Sequence, residues 1–185
     1  MPPPIAATEL RILYTSDEHG WIAPFADKGR RHDGAAGLAA RYQKEGLCTS
    51  GTCEESSLIA LSGGDQWTGP AISSFFRGKP AAEVWRRVGF SASALGNHEL
   101  DFGRSDFLAN QKTQGFPYLA ANVSPTRAEG GVAERFRVFR RAGVNLGVIG
   151  LSTRFTPIHG MRANYEGLSF GEEEAALAQV VPEVW

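Results

Sequence analysis

Three short apolar runs of this 185-residue chain each end in a cluster of side chains that can bind metal or transfer protons. The clusters are Asp17-Glu18-His19-Gly20, then Gly64-Asp65, then Asn97-His98-Glu99 with Asp101 close behind. Each cluster alone could be an ordinary turn or helix cap. Carboxylate, imidazole and amide groups together are ligands for hard to borderline divalent cations. Three such clusters in succession therefore favour one functional site over three unrelated turns.

The elements before and between these clusters alternate between strand and helix patterns over the first 120 residues. Strands are predicted at residues 10–16, 57–62, 90–95 and 118–121, and helices at residues 35–45, 80–88 and 105–113, with Gly46 as a C-terminal cap and Ser105 as an N-cap. This alternation predicts an α/β fold with a largely parallel sheet. Because the carboxyl ends of parallel strands meet along one edge, where ligand sites form, the three clusters should converge there.

The remaining segments give weaker signals. Residues 18–34 read as a loop, since Pro24 and three glycines lie in or close to an otherwise unpatterned stretch. Residues 133–140 and 144–151 predict a β-hairpin, and residues 172–181 a final helix with acidic residues in its first turn. No internal repeat or internal domain boundary is visible.

The three clusters resemble the D-x-H, G-D-x-x-x-G and G-N-H-E blocks of the calcineurin-like metallophosphoesterases. The continuation Leu100-Asp101-Phe102-Gly103 and the segments 119–123 (LAANV) and 147–153 (GVIGLST) are similar to the 5′-nucleotidase branch of that family. The resemblance implies an α/β/β/α sandwich, of which this chain carries only the N-terminal portion. It divides the chain into a tail, residues 1–9, and a partial catalytic domain, residues 10–185.

The resemblance also implies a set of metal ligands. Asp17 and His19 would hold a first divalent cation, Asp65 would bridge it to a second one, and Asn97 would bind the second through its amide oxygen. Mn²⁺, Zn²⁺, Fe²⁺, Co²⁺ and Mg²⁺ all suit such mixed oxygen and nitrogen ligands, so the identity of the two cations stays open. No organic cofactor is implied.

The resemblance assigns proton transfer to a residue that is not a metal ligand. His98 would face the substrate phosphate as a proton donor and not as a ligand, and Asp101 would fix its tautomer. Glu99 would support the site from behind the ligands. The implied partner is a small phosphate ester, in the first instance a nucleotide.

Two further blocks of the family, a strand that ends in His and a G-H-x-H block, have no match among these 185 residues. His32 and His159 are interpreted as a solvated loop residue and a turn residue, and Trp67, Phe75 and Phe76 as packing residues of the core or its rim. The chain alone should therefore be a weak or inactive enzyme. The alternatives to a nucleotide hydrolase are an incomplete metal-binding fragment, or a sibling hydrolase of cyclic phosphodiesters, nucleotide-sugars or sulfur esters.

Composition limits the partners and the compartment. The net charge of −1 offers no broad basic field for nucleic acid, and no apolar run approaches the roughly 20 residues of a membrane span. Residues 1–8 contain no hydrophobic region typical of a signal peptide, whereas relatives of the branch are usually exported, so a periplasmic or secreted parent is expected, with a cytoplasmic one as the alternative. Cys48 and Cys53 are either a disulfide that closes a small loop or two unrelated thiols.

Overall fold

The computed structural model of the chain describes residues 9–49, 53–127 and 130–184. The first elements are β1 (Arg11–Thr15), β2 (Phe25–Asp27), β3 (Arg30–His32), α1 (Gly34–Lys44), β4 (Leu58–Ser62), α2 (Ala71–Ser74), α3 (Lys79–Val88), β5 (Ala92–Ala94), α4 (Arg104–Gln114) and β6 (Tyr118–Leu119). They are followed by β7 (Val123–Pro125), β8 (Phe136–Arg141), β9 (Val144–Ile149), α5 (Thr156–His159), a 3₁₀ turn (Arg162–Tyr165), β10 (Leu168–Phe170) and α6 (Glu173–Val184).

A four-stranded parallel sheet in the order β1-β4-β5-β6 positions the three clusters. Its second strand, β4, is nearly continuous in buried residues, as expected for a parallel strand covered on both faces. Thr15 pairs with Ser62, so β1 and β4 end side by side. The predicted α/β fold and parallel sheet are confirmed, as are the hairpin β8–β9 and the final helix.

Two local predictions are wrong. Residues 18–34 are not all loop, because β2 and β3 pair there as an antiparallel hairpin. Their side chains are mostly exposed, so no apolar alternation marked them in the sequence. Ser105 is not the N-cap of α4, since that helix begins at Arg104 and its cap position is Gly103, whose φ of 86° favours glycine.

Aromatic side chains from the loop after β4, from α4 and from β6 pack together in the core. Trp67 is fully buried and packs against Phe107 and Tyr118, with ring centroids 5.5 and 5.7 Å away. The packing interpretation of Trp67 is therefore confirmed. It is wrong for Phe75 and Phe76, which are 79% and 53% exposed and contact each other.

A disulfide joins Cys48 and Cys53 in the connection between α1 and β4, with the two Cα atoms 5.7 Å apart. This confirms the first of the two interpretations of the cysteine pair. Among the described residues, no helix is long and apolar enough to cross a membrane. The expectations on residues 1–8 lie outside the described residues.

Candidate metal centre

The loops that follow β1 and β4 are held together by backbone hydrogen bonds. The N–H groups of Asp17 and His19 donate to the carbonyl oxygens of Gly64 and Asp65, at 3.0 and 2.8 Å. Gly20 continues the series by donating to Gln66 at 2.8 Å. Residues 17–20 and 64–66 are thus joined along the carboxyl edge of the sheet, and these two segments together are called the ridge.

Three candidate ligands on this ridge have left-handed backbone conformations that side-chain-bearing residues rarely adopt. The φ angles are 58° at Asp17, 44° at His19 and 59° at Asp65. Each such residue costs about 1–3 kcal/mol and persists only where surrounding contacts enforce it. The loop-to-loop hydrogen bonds supply that enforcement. Three of the seven described non-glycine residues with positive φ thus lie on the ridge, which supports a functional role for it.

The glycines of the clusters allow the ends of β4 and β5 to approach closely. A Cβ atom at Gly64 would lie 2.6 Å from the backbone nitrogen of Gly96. A Cβ atom at Gly96 would overlap the carboxylate of Asp65. The glycine before Asp65 and the glycine before Asn97 are therefore required by steric contact between the two loops.

His19 is arranged as metal-binding histidines usually are. Its Nδ1 lies 2.8 Å from the carbonyl oxygen of Thr68. Because a carbonyl only accepts hydrogen bonds, Nδ1 carries the proton and Nε2 keeps a free lone pair. That Nε2 lies 3.8 Å from Oδ1 of Asp17. The pair could therefore share one cation.

His98 lies opposite His19, with the two ring centroids 5.2 Å apart. Its Nδ1 lies 2.7 Å from Oδ2 of Asp101, which leaves Nε2 directed away from that carboxylate. The backbone N–H of His98 donates to Oδ1 of Asp65 at 2.8 Å. The third cluster is thereby attached to the second.

His19, Asp65 and His98 each offer one ligand atom, and these atoms lie within 4.8 Å of one another. Two imidazoles with one nitrogen already hydrogen-bonded, beside a buried carboxylate, suit a borderline divalent cation. The residues present therefore fit a metal. This geometry allows His98 either to bind a cation or to donate a proton.

The other two predicted ligands flank this group. The side chain of Asp17 is 63% exposed, next to Nε2 of His19. Asn97 is half-buried, and its backbone carbonyl accepts a hydrogen bond from the hydroxyl of Tyr165 at 3.0 Å. The predicted residues thus occupy one region, with Asp17 at its solvent side.

Glu99 lies fully buried behind the ridge and accepts hydrogen bonds from the backbone N–H groups of Asp65 and Gln66, at 3.0 and 2.8 Å. Burial, reinforced by the charge of Asp65, raises the pKa of Glu99 to about 8 against the opposing effect of these hydrogen bonds. These two hydrogen bonds place Glu99 behind the candidate ligands, which is the supporting position expected of it.

Two polar residues next to the predicted ligands were given no role from the sequence. Burial raises the pKa of Glu18 to about 7, and the hydroxyl of Ser62 donates to its carboxylate at 3.3 Å. Gln66 is fully buried, and its Oε1 accepts from Gln114 and from the hydroxyl of Tyr118, at 2.6 and 2.7 Å. These partners lie 48 and 52 residues away in the chain, so no local pattern could reveal them.

The two remaining histidines do not join this group. His32 is exposed on β3 and stacks on Phe25, with ring centroids 4.5 Å apart. His159 is exposed at the end of the short helix α5. His32 faces solvent as expected, although it lies in a strand and not in a loop. His159 lies at the end of a short helix and not in the predicted turn.

The chain is similar to several known proteins, although no family model matches it. It is 29% identical over 179 residues to a 5′-nucleotidase of Vibrio cholerae serotype O1. That alignment covers 95% of this chain and 31% of the relative. The structure of a 5′-nucleotidase precursor from Thermus thermophilus superposes with a TM-score of 0.78 at 24% identity, covering 95% of this chain and 34% of that one. The calcineurin-like phosphoesterase YfkN of Bacillus subtilis gives a TM-score of 0.70 at 22% identity, over 94% of this chain and 57% of that one.

Proposed function

Since the chain is related to the N-terminal part of the calcineurin-like metallophosphoesterases of the 5′-nucleotidase branch, we propose that it carries part of the active site of a metal-dependent phosphoester hydrolase. The observation that supports this most is the convergence of His19, Asp65 and His98 at the carboxyl edge of the sheet. The chain spans about a third of the length of the V. cholerae relative, at 31%. The activity is therefore proposed for the whole protein.

Asp17 and His19 would hold the first of two divalent cations, Asn97 would hold the second, and the carboxylate of Asp65 would contribute an oxygen to each. Two cations of this kind lower the pKa of a bound water and neutralise charge on a phosphate. Asp65 suits the bridging role because only one of its oxygens is engaged by the N–H of His98. Which of Mn²⁺, Zn²⁺, Fe²⁺, Co²⁺ or Mg²⁺ is bound is left to measurement.

His98 donates a proton to the leaving oxygen of the ester, and Asp101 keeps its imidazole oriented. The 2.7 Å contact between Nδ1 of His98 and Oδ2 of Asp101 fixes the proton on Nδ1 and holds the ring in place. A protonated Nε2 can then face the substrate. Glu99 keeps the backbone of Asp65 in place from the buried side.

The substrate is a nucleotide phosphate ester, by analogy with the relatives that are named 5′-nucleotidases. We place residues 10–185 in a partial catalytic domain and residues 1–9 in a tail before it. An exported location fits the Cys48–Cys53 disulfide, since disulfides persist in oxidising compartments.

The test uses the protein expressed from its complete reading frame. Elemental analysis should find about two divalent cations per chain, and hydrolysis of a nucleoside monophosphate should stop on exhaustive chelation and return with added Mn²⁺. A parallel panel of a cyclic phosphodiester, a nucleotide-sugar and a sulfur ester separates the nucleotidase from the sibling activities. Full hydrolysis after chelation would show that the proposal is wrong.

A further inference from the structure

One short turn contacts both ends of the loop that carries His98. The hydroxyl of Tyr165 donates to the backbone carbonyl of Asn97 at 3.0 Å. Nδ2 of the preceding residue, Asn164, donates to the backbone carbonyl of Asp101 at 2.9 Å. The two donors lie 63 and 68 residues along the chain from their acceptors, so the turn is brought there by the fold.

The turn itself is held firmly. Tyr165 is 4% exposed, and its ring packs edge-on against Phe170 at 6.0 Å between centroids. A Cβ atom at Gly160 would overlap the Tyr165 hydroxyl, so the backbone there lies directly against the phenol. The phenol therefore has little freedom to move away from Asn97.

The segment between the two acceptors contains the groups that the proposed chemistry depends on. His98 contacts Oδ2 of Asp101 through Nδ1 and Oδ1 of Asp65 through its backbone N–H. Movement of the Asp101 backbone would alter the first contact, and movement of the Asn97 backbone would alter the second. The turn thus fixes the loop on either side of His98.

We propose that Asn164 and Tyr165 are positioning residues of the active site: Asn164 holds Asp101, and through it the His98 imidazole, and Tyr165 holds the backbone of Asn97 and His98. Neither residue touches a reacting atom. Their functional meaning rests on the proposed hydrolase site, where a displacement of about 1 Å can cost roughly 10²-fold in rate.

The experiment measures the tautomer and the backbone amide exchange of His98 in the metal-free 185-residue chain. Long-range ¹H–¹⁵N spectra of the neutral imidazole should show a single tautomer, protonated on Nδ1, in the wild type. Asn164→Ala should add the Nε2-protonated tautomer. Tyr165→Phe should make the His98 backbone amide exchange about tenfold faster, in keeping with the loss of one hydrogen bond.

Matched controls separate positioning from general destabilisation. Tyr42→Phe removes the hydroxyl of another buried tyrosine, one that has no hydrogen-bond partner among the described residues. Asn145→Ala removes an exposed amide from β9. If Asn164→Ala does not fold, Asn164→Leu keeps about the same side-chain size and removes the donated hydrogen bond without adding a charge.

Unchanged His98 tautomer and amide exchange in the Asn164 and Tyr165 variants, relative to these controls, would overturn the inference. A Mn²⁺ titration of the protein from the complete reading frame is a separate measurement. Absence of Mn²⁺ binding there would count against the metal site of the proposed function and leave the metal-free result on Asn164 and Tyr165 standing.

Discussion

The carboxylate of Glu99 accepts the backbone N–H of Asp65 at 3.0 Å, although the two residues lie in loops that follow different strands of the sheet. Its other oxygen accepts the N–H of Gln66 at 2.8 Å. A single buried side chain therefore satisfies two consecutive amides in a strained turn, where Asp65 has a φ of 59°. This contact couples the third cluster to the geometry of the second.

Glu99→Gln should disturb that coupling, because the amide places a donor against one of the two backbone N–H groups. A buried amide left without an acceptor costs about 1–3 kcal/mol in the free energy of unfolding. Urea denaturation measures this loss. Glu83→Gln, on the exposed face of α3, is the matched control and should change stability little. Equal stability of the two variants would contradict the role given to Glu99.

His98→Ala and Asp65→Ala should differ in kind. Loss of a proton donor is typically worth about 10²–10⁴-fold in kcat, so His98→Ala should be slow but keep its cations. Asp65→Ala should lose cations and activity together. Metal content and nucleotide hydrolysis are measured on protein from the complete reading frame, with the exposed His32→Ala as control. If His98→Ala lost its cations and kept residual activity, His98 would be a ligand.

Gly96→Ala should damage the site through volume alone, since the added methyl would press on Asp65 and lie 2.6 Å from Oε2 of Glu99. Overpacking of this kind costs about 1–3 kcal/mol in stability. Weaker Mn²⁺ binding should accompany it in a calorimetric titration. Gly131→Ala is the control, because its nearest neighbour would be 3.5 Å away. A Gly96→Ala protein as stable as this control would show that the loops can separate freely.

Much of the site was visible in the sequence because its residues follow strands directly. A strand followed closely by Asp17 or Asp65 leaves both a short apolar run and a polar terminus, and both are local signals. The residues that hold the loops of the site in place were not visible in the sequence. Asn164 and Tyr165 reach their acceptors across 63 and 68 residues, and the hairpin β2–β3 has mostly exposed side chains. Such features depend on tertiary contacts that no local pattern encodes.

Replacing both cysteines, Cys48→Ser with Cys53→Ser, should lower the stability of the chain. The disulfide closes a short loop with a sequence separation of 5, for which loop entropy gives about 2 kcal/mol in the free energy of unfolding. Urea denaturation with and without reductant checks this, since reductant should affect the wild type and not the double variant. Intact mass after alkylation, before and after reduction, reports the bond directly. Two free thiols in protein taken from an oxidising compartment would contradict the pairing.

The 185-residue chain by itself should hydrolyse a nucleoside monophosphate at a rate near background. In the proposed site, Asp17, His19, Asp65 and Asn97 would supply only part of two coordination shells, and water molecules are weak substitutes for protein ligands. We therefore expect weaker cation affinity than in the protein from the complete reading frame.

The same chain should also self-associate, because apolar side chains of its sheets face solvent: Ile12 is 54% exposed, Tyr14 65% and Val138 45%. The measurement is turnover of residues 1–185 in saturating Mn²⁺, with light scattering across a range of protein concentrations. A turnover number of roughly 1–10³ s⁻¹, the usual range for enzymes, would contradict the expectation. If that turnover rose more steeply than protein concentration, a second copy would be supplying the remaining ligands; if it stayed proportional, the half-site formed by these four residues would be sufficient.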